Sequence, residues 1–173
     1  SIGYISGIET FVNPLILHET GTPMVNRERL AETFKALAQT SSPSKREGRL
    51  AADLQSRLDA LGADTWIDNS AAATGSDTGN LIARLGAGVT ATPLIVCTHM
   101  DTVGPAETIR VRFADGVFTS DGTSILGADD KSAIAAVLEA LEVARERGIG
   151  HGPLELVFTT CEEIGLTGAK NLD

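Results

Sequence analysis

At 173 residues, 42 % of them hydrophobic, the chain suits one globular domain with a sizeable core. A formal charge of -9 without a visible basic patch argues against a nucleic-acid partner, whose phosphates need lysine and arginine. No apolar run approaches the roughly 18 residues that span a bilayer, so no membrane partner is expected. Two cysteines, Cys97 on an expected core strand and Cys161 before an acidic pair, make no disulfide framework; reduced thiols in a cytoplasmic protein are the simpler reading.

Residues 1–23 contain the apolar patch FVNPLIL, but Pro14 interrupts it and no basic segment precedes it, which argues against a signal peptide. They read as a leader or extension of unclear role, ahead of a working domain over 24–173 that starts MVNRERLAETFKALAQ. Leu30, Phe34 and Leu37 at helical spacing behind Asn26, a good N-cap, predict a helix over 27–39. Leu50, Leu54, Leu58 and Leu61 form the stripe of a second helix over 44–61 that stops at Gly62. Short strands ADTWID, with Trp66 in the core, and NLIARL follow on either side of the turn-rich ATGSDTG.

The stretch LIVCTHMDTVG comes next. Its four apolar residues, 94–97, read as a buried strand, and His99 and Asp101, two apart, project to the same side of the sheet's C-terminal edge. Open α/β sheets build their sites at that edge. A hairpin over 108–113 and 117–119, a helix over 131–144 burying Ile134, Val137, Leu138 and Leu141, and a strand over 154–160 complete the pattern. This helix–strand alternation predicts an α/β fold with part of the sheet parallel.

Three polar clusters stand at the ends of these elements, and each has a plain structural explanation. Asp101 after a strand caps a turn; Asp129 and Asp130 at a helix start suit its macrodipole; Glu162 and Glu163 fit a solvated loop. Together they fall on one edge, where four or five carboxylates and one imidazole would repel one another. A divalent metal removes the conflict. Imidazole with carboxylates suits zinc, with cobalt or manganese as alternatives. A pair of metals roughly 3.5–4 Å apart needs a shared carboxylate, which the 129–130 pair offers, and one free glutamate of the 162–163 pair could take the proton of an activated water.

The segments THMDTV, DGTSILGADDKSAIAAVLEAL and LVFTTCEEIGLTGAKNLD resemble the zinc-dependent metallopeptidase family that includes peptidase T, carboxypeptidase G and succinyl-diaminopimelate desuccinylase, and are most similar to its peptidase T-like branch. The resemblance implies a three-layer α/β/α catalytic domain with a mixed sheet, of which this chain would be the N-terminal part, truncated before a lid or dimerisation domain. It implies two divalent ions, zinc by preference, with His99 ligating one, Asp129 bridging both across a cis peptide to Asp130, and Glu163 ligating the other. It further implies Glu162 as general base and Asp101 as the partner that orients His99. Two more ligands, an Asp and a His, would lie beyond residue 173; His151 reads as a surface-loop residue and His18 as part of the leader. Cys161 reads as packing. The implied activity is tripeptide aminopeptidase-like hydrolysis of short peptides, with homodimerisation through the domain outside this chain. The alternatives are a deacylase or carboxypeptidase of the same family, or a non-catalytic fragment.

Overall fold

Asn26 starts the first helix. In a computed structural model that describes residues 24–173, its side chain accepts from the Arg29 amide at 3.1 Å, and helix α1 (Arg27–Gln39) follows, burying Phe34, Leu37 and Ala38. Helix α2 (Gly48–Ala60) buries Leu50, Ala51, Leu54 and Leu58. It starts four residues later than its apolar stripe predicts, because residues 43–47 form a turn in which Lys45 has φ 74° and the Glu47 carboxylate accepts the Lys45 amide. Residues 1–23, including FVNPLIL and His18 and read from sequence as a leader or extension, lie outside the described residues.

The sheet has the order β1 (Asp64–Ile67), β2 (Leu81–Leu85), β6 (Leu154–Thr159), β3 (Leu94–His99). Its first two pairings are antiparallel and the β6–β3 pairing is parallel, the mixed sheet that was expected. A short helix α3 (Ala71–Thr74) runs into the start of the turn-rich ATGSDTG, and β4 (Val111–Ala114) and β5 (Val117–Ser120) form a separate hairpin around Asp115 and Gly116. Helix α4 (Ala128–Arg147) begins with non-helical backbone at Asp129 and Asp130, joined by a cis peptide. Helix α5 (Thr167–Lys170) closes the described chain.

One face of the sheet carries Leu81, Ala83, Leu156 and Phe158, and these merge with the apolar stripes of α1, α2 and α4 into a single core. Each fully buried leucine there contributes about 1.5–3 kcal/mol relative to leaving it exposed. Arg29 ties α1 to α4 through Glu139, at 2.6 Å, and Glu146. The described residues thus supply the sheet and one helical layer of the α/β fold.

Two burial expectations are corrected. Strand β3 is an edge strand, with Leu94 56 % and Ile95 64 % exposed and Cys97 also exposed, since no described strand pairs beyond it. Trp66 is half-buried on the face away from the helices, where the Arg84 guanidinium lies 4.8 Å from its ring centre. An apolar run reports that a strand is wanted in a core; the neighbours decide whether it is covered.

Candidate metal centre

Parallel pairing of β3 with β6 sets His99 beside Thr159, so the loops that leave the two strands start at the same edge. Met100 continues the contact, its amide donating to the Thr159 carbonyl at 2.8 Å. One loop then carries Asp101 and the other Cys161, Glu162 and Glu163. The N-terminus of α4 brings Asp129 to the same place. His99 Nε2 lies 3.1 Å from Asp129 Oδ1, and one donor atom each of His99, Asp129 and Glu163 lies within 4.8 Å of the other two. Three residues distant in sequence, each singled out from the sequence as a metal ligand, therefore converge on one point.

Asp101 is buried beneath them. Its carboxylate accepts from Ser44 Oγ at 2.6 Å, from the Glu162 amide at 2.8 Å and from the Glu163 amide at 3.1 Å, and its Oδ1 stands 3.6 Å from His99 Nδ1. The Asp101 carbonyl also faces His99 Nδ1 at 2.9 Å. An imidazole held this way at Nδ1 presents Nε2 outward, which is the orientation a metal requires.

The charges are under tension. Burial alone would raise the Asp101 carboxyl, yet the hydrogen bonds from His99, Ser44 and the two loop amides outweigh it and hold the group below the usual carboxylate range. Burial pulls His99 down, but its bonds to Asp101 and Asp129 prevail and raise it to about 9. Glu163 is raised by burial and then by the neighbouring Asp129 and Glu162 carboxylates; Asp130 is raised by burial and by Asp129. Burial and like charge thus disfavour the ionised forms of Glu163 and Asp130, and a divalent ion held by His99, Asp129 and Glu163 would supply positive charge that offsets this.

Beside the ligand cluster lies an open cavity of about 440 Å³. Asp129 and Glu163 form one wall; Val103, Ile125 and Leu126 form an apolar part of the other. A larger hollow of about 750 Å³, between α1, α4 and the β4–β5 hairpin, is lined by Phe34, Phe113 and Phe118 and includes none of the clustered carboxylates.

The thiol of Cys161 is fully buried and points at Glu47 Oε1, 3.5 Å away. Burial and that carboxylate raise the thiol, the reverse of what a nucleophile needs, in keeping with a packing residue. His151 is partly buried in its loop, with Nδ1 2.8 Å from the Gly152 carbonyl, and does not join the cluster. Sequence reasoning missed two buried polar residues that support the site. One is Glu47, and the other is Asn80, whose side chain bridges Asp68, the Gly168 carbonyl and the Thr160 amide. Their only sequence signals, a charge within SKREG and an Asn before a strand, are those of solvated residues.

Residues 80–172 match the profile of peptidase family M28. The chain belongs to that family. A protein of Bacillus subtilis strain 168, the uncharacterized protein YqjE, is 41 % identical over 150 residues, covering 87 % of this chain and 40 % of its own length. Among solved structures, the aminopeptidase PepT of Bacillus cereus is 42 % identical with a TM-score of 0.84, and a tripeptidase of Staphylococcus aureus is 40 % identical with a TM-score of 0.85. Each match covers 87 % of this chain and 40 % of the other. The chain therefore spans about two fifths of the length of these relatives. The α/β architecture seen here is that of the family, and the peptidase T-like resemblance of its motifs agrees with these neighbours. No helix among the described residues is long and apolar enough to cross a membrane.

Proposed function

We propose that this chain carries the first half of a metallopeptidase active site, one that removes the N-terminal residue from short peptides such as tripeptides. The convergence of His99, Asp129 and Glu163 within 4.8 Å is the observation that carries the reading, and the aminopeptidase and tripeptidase names of the two solved relatives indicate the substrate class.

His99 and Asp129 would hold one divalent ion, zinc by preference with cobalt or manganese as substitutes, while Asp129 and Glu163 would hold a second. Ions bound there supply Lewis acidity toward the scissile carbonyl and make a nearby water acidic enough to attack at neutral pH. Glu162 is the general base: it accepts the water's proton and delivers it to the departing amine. Asp101 orients His99 and, through two loop amides, sets where Glu162 and Glu163 stand. The open cavity next to Asp129 and Glu163 gives a peptide room to lie across the ligands. Further ligands, dimer contacts and substrate-binding groups would lie outside the two fifths of the relatives' length that this chain spans, and a cytoplasmic location would suit a peptide-degrading enzyme with free thiols.

Metal content of the whole protein, followed by assay on tripeptides with free and blocked N-termini, tests the reading. Two tightly held ions and cleavage only of peptides with a free N-terminus is the expected result. Cleavage of N-acylated substrates, or of C-terminal residues, would move the assignment to a deacylase or carboxypeptidase.

A further inference from the structure

Glu47 has no place in the reaction described above, yet it is a carboxylate buried completely at the start of α2. Its Oε1 accepts the Lys45 amide at 3.0 Å and the Cys161 amide at 3.0 Å, and receives the Cys161 thiol at 3.5 Å; its Oε2 accepts Ser76 Oγ at 2.5 Å. Burying a carboxylate is costly unless donors surround it, and a fold retains one where the donors themselves need holding.

The donor that needs holding is Cys161. It sits at φ 54°, a left-handed conformation that is strained for a non-glycine residue. That turn lies at the end of β6, two residues before Glu163, which joins the cluster with His99 and Asp129. The following amides, of Glu162 and Glu163, go to the two oxygens of Asp101. Three successive N–H groups are thus gripped by two buried carboxylates, one from the start of α2 and one just beyond the end of β3.

We infer that Glu47 is a positioning residue. With Asp101 it forms a two-carboxylate cradle that fixes the backbone of residues 161–163, and so the placement of Glu162 and Glu163 relative to His99 and Asp129. The inference rests on the proposed function for its catalytic consequence, but the grip on the loop is made by the chain's own hydrogen bonds. Glu47→Gln keeps an oxygen toward the Cys161 amide and turns an NH2 toward Ser76 Oγ, which can accept; Glu47→Asp keeps the charge but withdraws it by one methylene; Glu47→Ala removes the grip.

The test uses the whole protein and three readouts: amide hydrogen exchange without metal, zinc affinity by chelator competition, and tripeptide kinetics. Glu47→Ala and Glu47→Asp should speed exchange at Cys161, Glu162 and Glu163 while β2 and β6 stay protected. Both should weaken zinc and lower kcat by about 10–100-fold with KM little changed, whereas Glu47→Gln stays within about threefold of the parent protein. Wild-type exchange and zinc affinity in Glu47→Ala would overturn the inference, as would a Gln variant as impaired as the Ala variant, since charge and not position would then be at work. Protection lost throughout the sheet in both Ala and Asp variants would make Glu47 a folding residue and would equally overturn it. Should the parent protein bind zinc but cleave no peptide, the proposed function fails, while exchange and zinc affinity still decide the role of Glu47.

Discussion

The backbone amide of Glu163 donates to Asp101 Oδ2 at 3.1 Å, so the loop that carries this candidate ligand hangs from the same buried carboxylate that stands behind His99. One side chain thereby sets the mutual position of donors that lie 64 residues apart. Replacing it acts on both at once.

Asp101→Ala should therefore weaken zinc binding by about 10–100-fold, the usual cost of losing a group that orients ligands. It should also lower stability, because Ser44 and two loop amides lose their acceptor. Chelator competition together with thermal melting checks this. An unchanged zinc affinity would mean that His99 and Glu163 are held by other contacts.

Base and ligand should separate by mutation. Glu162→Ala is expected to retain metal and lose turnover by about 10²–10⁴-fold, the range for a missing general base. Asp129→Ala is expected to lose the metal itself. Elemental analysis beside kinetics distinguishes the two, and equal metal loss in both variants would contradict the division of roles.

Stability should fall in acid through Asp68. Burial would raise this carboxyl, but hydrogen bonds from Ser70 and Asn80, side chain and backbone in each case, hold it below its ordinary value of 3.8. A depressed folded value means that the unfolded chain takes up the proton first. The stabilisation is present in full above about pH 4 and is lost as the pH falls through the folded value. Melting temperature followed from pH 6 to pH 2 should show this acid branch. Asp68→Asn should start less stable at neutral pH, with fewer acceptors for its donors, and decline less steeply below pH 4.

Gly168 marks the closest approach of α5 to the loop that carries the glutamates. A Cβ there would stand 2.1 Å from the Thr160 carbonyl and 2.7 Å from Asn80 Oδ1. Gly168→Ala should destabilise by about 1–3 kcal/mol, as overpacking does, and should disturb zinc binding because the displaced backbone leads directly into Cys161. Denaturant titration gives the first quantity. A variant as stable as the parent would show that α5 moves freely from the loop.

The regular elements were legible because periodicity is a local property. Apolar residues spaced for a helix at Leu30, Phe34 and Leu37, and at Leu50, Leu54 and Leu58, fall on α1 and α2. Asn26 caps where its type predicts. The candidate ligands were legible for a related reason: His99, Asp129 and Glu163 each stand at the end of a recognisable strand or at the start of a helix, and the parallel partnership of β3 and β6 puts such ends on one edge.

What the amino-acid order determined, then, is the set of elements, the chemistry available at their ends and the motifs that tie the chain to its family. Burial was decided elsewhere. Whether LIVC is covered depends on what packs beside β3, and whether Glu47 is a solvated charge or a buried clamp depends on a turn 114 residues away. Both are long-range properties: desolvation and hydrogen-bond satisfaction are set by neighbours in space, and no window of sequence contains them. The tertiary structure alone brings Glu47, Asp101 and the Cys161 turn together, and their hydrogen bonds tie down the backbone of residues 161–163.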